Sequence, residues 1–87
     1  MLTAMSVIDH LEDQLGQFAE GGYTLSRLID LSKEQFETVW DELTRQDVQQ
    51  LDSWLRGKIR ATKGEARIRW GFVRGVFDTV REARGPN

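Results

Sequence analysis

Apolar residues recur at steps of three and four along every long segment of this 87-residue chain, and no segment alternates apolar with polar residues. Steps of three and four keep side chains on one face of an α-helix, whereas strict alternation is typical of a half-buried strand. The first run shows the pattern clearly, with apolar residues at Val7, Ile8, Leu11, Leu15 and Phe18. We therefore predict an all-α fold, a compact bundle of four to five short helices forming one domain over residues 1–87.

Signals for helix starts and stops divide the chain. A Ser or Thr that precedes a periodic apolar run predicts an N-terminal cap at four positions: Ser6, Thr24, Ser32 and Thr44. Gly21-Gly22 is expected to end the first helix, and residues 62–64 to separate the last helix, predicted from about Glu65 to Ala83. Because Pro86 cannot continue a helix, we predict a flexible tail over residues 84–87.

Residues 25–43 resemble a helix-turn-helix, with a short apolar run, a turn at residues 30–32 and a capped second run. In that motif the second helix enters the major groove of DNA. Here the second helix carries Glu34, Glu37 and Asp41 on one stripe, where they would face phosphates. We therefore expect a helical corner of this shape whose acidic helix does not read DNA and instead offers a negative face to a basic protein surface.

The net charge of −2 hides a split along the chain. Residues 1–55 hold eleven acidic against three basic residues, whereas residues 56–87 hold nine basic against three acidic residues. Such asymmetry indicates a charged partner. It is equally expected if the two halves attract each other within one fold, or if identical subunits pair head to tail.

The last helix combines arginines with aromatic residues. Arg67, Arg74 and Arg81 recur every seven residues and form one stripe, with Trp70 predicted between that stripe and the edge of the core. Guanidinium groups pair with phosphates and indoles stack on bases, so this stripe is a candidate nucleic-acid surface; the alternative is a solvated helix face. The residues predicted to point inward are Phe72, Val73, Val76, Val80 and Ala83, with Ile68 and Phe77 flanking them.

Two further features of this half of the chain favour contacts with a partner. Trp54 and Trp70 are predicted at the borders of helix faces, where Trp is a frequent interface anchor, although both positions also suit the edge of a core. Gly71 and Gly75 each cost about 1 kcal/mol against alanine inside a helix, so a compensating close approach of another helix is expected. We expect that helix to be the first helix of the same chain, with the same helix of a second subunit as the alternative.

The residues that usually carry catalysis or bind cofactors are scarce. The chain has no cysteine, and His10 is its single histidine, predicted on the polar side of the first helix. No phosphate-binding glycine motif occurs, and carboxylates adjacent in a helix do not converge on one substrate. We predict no catalytic residue, cofactor or metal. The absence of a membrane-length apolar run and of a signal peptide predicts a cytoplasmic protein without membrane contact.

These observations predict a small non-enzymatic regulator or inhibitor that acts by protein–protein binding, as phage and mobile-element accessory proteins do. The alternative is a dimeric transcriptional regulator that binds nucleic acid through the basic C-terminal helix. A homodimer is compatible with both hypotheses. The residues predicted to contact a partner are Arg67, Trp70, Arg74, Arg81, Trp54, Glu34, Glu37 and Asp41.

Overall fold

A computed structural model describes residues 6–85 of the chain. Within them lie four α-helices and one 3₁₀ turn: α1 (Val7–Glu20), α2 (Leu25–Val39), the 3₁₀ turn (Trp40–Glu42), α3 (Arg45–Ala61) and α4 (Gly64–Arg84). No strand occurs in this part of the chain. The prediction of a compact all-helical fold is confirmed, and the four helices of this part of the chain lie within the predicted four to five.

Three of the four predicted caps are present. The Ser6 hydroxyl accepts a hydrogen bond from the Asp9 backbone N–H at 3.2 Å, and the Thr24 hydroxyl accepts one from Arg27 at 3.2 Å. Thr44 forms a reciprocal capping box with Asp47, with bonds of 3.0 and 3.1 Å. Each side chain satisfies an N–H that the first helical turn leaves unpaired, which is why these helices begin where they do.

The fourth cap, at Ser32, is wrong. Ser32 lies in the middle of α2 and is fully buried, so one helix continues through the turn predicted at residues 30–32. The helix-turn-helix corner predicted over residues 25–43 is therefore not formed in that segment. The physical reason is spacing: Leu28, Ser32 and Phe36 recur every four residues and all face the core, and burial of one helical face stabilises a helix more than a local capping signal does.

α4 lies at the centre of the fold and contacts each of the other three helices. The rings of Phe36 and Trp40 pack edge-to-face against Phe77, with centroids 5.4 and 5.7 Å apart, and Trp54 of α3 packs against Trp70 at 5.2 Å. α2 runs in the same direction as α4, because Ile29 lies near Phe72 and Glu37, further along α2, contacts Arg84. α3 runs in the opposite direction, because Asp52 contacts Arg74 and Trp54, further along α3, contacts Trp70. The core comprises Ile8, Leu11, Leu15, Phe18, Ala19, Leu28, Phe36, Trp40, Leu43, Val48, Leu51, Leu55, Trp70, Val73, Phe77 and Val80.

The inward face predicted for α4 is partly wrong. The observed buried residues are Trp70, Val73, Phe77 and Val80, whereas Phe72 and Ala83 are exposed and Val76 is half-buried. Apolar residues cover more than half of the circumference of α4, so two different rows of residues along this helix could face the core. The buried line carries two large aromatic rings that fill the space beside Phe36, Trp40 and Trp54.

The end of α4 is held by the rest of the fold. Arg84 donates a hydrogen bond to the Glu37 carbonyl oxygen at 3.2 Å and lies 3.6 Å from the Asp41 carboxylate. Gly85, with φ of +82°, ends the helix and donates its N–H to the Arg81 carbonyl. The tail predicted from residue 84 is thus wrong at Arg84, and its last residues, 86–87, lie outside the described residues. None of the helices in residues 6–85 has the length and apolar character needed to cross a bilayer.

Candidate binding surfaces

The predicted arginine stripe on α4 is divided between solvent and the fold. Arg67 and Arg81 are exposed. Arg74 is half-buried, and its guanidinium lies 3.5 Å from the carboxylate of Asp52 on α3, which also pairs with Arg56 at 3.2 Å. Arg74 therefore joins α3 to α4, and only the two outer arginines of the stripe present their charge to solvent.

Trp70 does not lie beside that stripe. Its side chain is 0% exposed and packs edge-to-face against Trp54, so the predicted border position is wrong. Trp70 lies in line with Val73 and Phe77 on the buried side of α4. A buried indole has no face to offer to a base or to a partner protein. The arginine stripe thus lacks the adjacent stacking ring on which the nucleic-acid hypothesis depended.

Trp54 occupies a border position, as predicted, and is half-buried. The Lys58 ammonium lies 5.6 Å from the ring centroids of both Trp54 and Trp70, within the range of cation–π attraction. Trp54 and Lys58 form one wall of a shallow groove of about 520 Å³ between α1 and α3. The groove is lined by Glu12, Asp13, Gly16, Gln17, Glu20, Gly21, Tyr23, Trp54 and Lys58.

Glu12, one of the charged residues lining this groove, has a shifted pKa. Burial raises the pKa of the Glu12 carboxyl above its ordinary value, the nearby Asp9 carboxylate raises it further, and the Lys58 ammonium opposes both. The half-buried position of Glu12 between α1 and α3 is the main cause. Ionised Glu12 is therefore a destabilising group that the fold tolerates.

The acidic residues predicted to form a negative face are exposed. Glu34 and Glu37 project from α2, and Asp41 lies in the 3₁₀ turn that follows it. Arg84 of α4 lies against this region and bonds to the Glu37 backbone and the Asp41 carboxylate. Some of the acidic charge of the N-terminal half is thus paired with basic charge of the C-terminal half within one molecule.

Gly71 and Gly75 do not mark a close contact within the molecule. A Cβ atom added to either residue would meet no heavy atom of the described residues within 4 Å beyond its own local helix. Both glycines are exposed. The favoured expectation, close packing against the first helix, is therefore wrong, and the space beside these residues is open to another molecule.

An apolar surface that the sequence did not predict covers the adjoining faces of α2 and α4. Ile68 is 56% exposed, Phe72 43% and Leu25 39%. Phe72 also borders a groove of about 350 Å³, lined by Ile29, Lys33, Phe72, Gly75, Val76, Thr79 and Val80. Leu25 and Ile68 each lie one helical turn before a residue of this groove. We name the surface formed by Leu25, Ile29, Ile68, Phe72 and Val76 the α2–α4 face.

The sequence pattern assigned Phe72 to the core, so this exposed apolar face was not predicted. A usable signal was present, because α4 carries more apolar residues than one helix side can bury: Ile68, Trp70, Phe72, Val73, Val76, Phe77 and Val80. Sequence alone does not indicate which line is left outside, since that choice depends on the shapes of α2 and α3.

His10 is exposed on α1, as predicted. Among residues 6–85, no group of three His, Asp or Glu side chains is arranged to hold a metal ion.

Comparisons of the chain with models of protein families, with curated proteins and with solved structures found no match in any of the three.

Proposed function

We propose that this protein is non-enzymatic and acts by binding another protein through the α2–α4 face. One observation carries the proposal. Of the four large apolar side chains that are more than a third exposed in residues 6–85, three lie on this face: Leu25, Ile68 and Phe72. Exposed apolar area is unfavourable in water at about 25 cal/mol per Å², and its concentration in one patch is typical of an interaction surface.

The shape of the α2–α4 face supports binding of a protein segment. The groove beside Phe72 is lined mostly by apolar residues, with Val80 buried, Lys33 as its one charged residue and no side chain at Gly75. Such a groove between two helices suits an apolar helix face or an aromatic side chain of a partner. Phe72, which is aromatic and partly exposed, is the residue expected to anchor the contact.

The biological consequence that we propose is regulation or inhibition of the bound protein by covering part of its surface, as small phage and mobile-element accessory proteins do. We also propose the cytoplasm as its compartment, because a chain without cysteine needs no oxidising environment. Nucleic acid is the less supported partner, because Trp70 is buried and Arg74 is paired with Asp52.

Affinity capture from extracts of the organism that encodes the protein tests this proposal. Phe72→Ser is expected to lose a specific protein that the wild type retains, because it removes the ring at the centre of the α2–α4 face. Tyr23→Ser is the matched control, since Tyr23 is 39% exposed but lies outside that face. Circular dichroism checks that both variants stay helical. Equal retention of every partner by the two variants would contradict the proposal.

A further inference from the structure

We draw no further inference here: the strongest candidate, the exposed apolar α2–α4 face with the groove beside Phe72, belongs to the surface already proposed for protein binding, and nothing in the structure shows which molecule covers it.

Discussion

At the scale of single residues, several polar side-chain atoms are buried without a hydrogen-bond partner in the part of the chain that the structure describes. Ser32 is fully buried in α2, and its hydroxyl finds no hydrogen-bond partner among residues 6–85. The indole N–H groups of Trp40 and Trp70 are also buried without a hydrogen-bond partner among these residues. Unpaired buried polar groups cost about 1–3 kcal/mol each, so these positions lower the stability of a small core.

Ser32→Ala is expected to stabilise the protein by about 1 kcal/mol, because it removes a buried hydroxyl and leaves little empty volume. Chemical denaturation measures the change in the free energy of unfolding. Ser53→Ala in α3 is the matched control, since Ser53 is exposed inside a helix and gains the same intrinsic helix propensity. If Ser32→Ala stabilises no more than Ser53→Ala does, the Ser32 hydroxyl is satisfied.

Glu12 gives the stability a defined pH dependence. Its pKa is raised in the folded protein by burial and by Asp9, so the folded state binds this proton more tightly than the unfolded state does. The stability that the folded protein gains from binding a proton at Glu12 therefore falls as pH rises from the ordinary glutamate pKa, about 4.3, through the raised pKa. Above that window Glu12 is ionised and its destabilising effect is complete.

We expect Glu12→Gln to be more stable than the wild type at pH 7. The difference should shrink as the pH is lowered through the raised pKa and disappear below about pH 4, where both side chains are neutral. Urea unfolding of both proteins at several pH values measures this. A difference that is independent of pH would show that packing of the amide, and not the charge of Glu12, causes it.

At the scale of helices and turns, local sequence predicts where three of the four helices begin. Ser6, Thr24 and Thr44 cap α1, α2 and α3 as expected, because capping depends on bonds within a few residues. Ser32 carries the same local signal yet lies inside α2. Leu28 and Phe36, one turn before and after Ser32, face the core. Rules for helix capping consider only nearby hydrogen bonds and do not include the free energy gained by burying that face.

The capping box of α3 should be measurable in the stability of the whole molecule. Thr44→Ala is expected to cost about 1 kcal/mol, because the Asp47 N–H loses its acceptor at the start of the helix. Asp47→Ala removes the reciprocal bond to the Thr44 N–H. Since both changes disrupt one box, the double variant should cost less than the two single changes added together, as a double-mutant cycle in denaturant would show.

At the scale of the whole molecule, the sequence predicts the fold class but not which side of α4 is inside. Periodicity requires Val73 and Val80 to share a face, and both are buried. It does not decide between Trp70 with Phe77 and Ile68 with Phe72, because both pairs lie at helical spacing. Rings from α2 and α3 make that choice, so the α2–α4 face emerges only from the assembled structure.

The edge-to-face contact of Trp54 with Trp70 joins α3 to α4. Two indoles held at a fixed angle couple their electronic transitions, and this coupling adds a paired feature to the far-ultraviolet circular dichroism beside the helical bands. The paired feature depends on the two helices staying docked, whereas the helical bands depend only on the backbone. We therefore expect the paired feature to disappear when α3 and α4 separate, even where the helical bands persist.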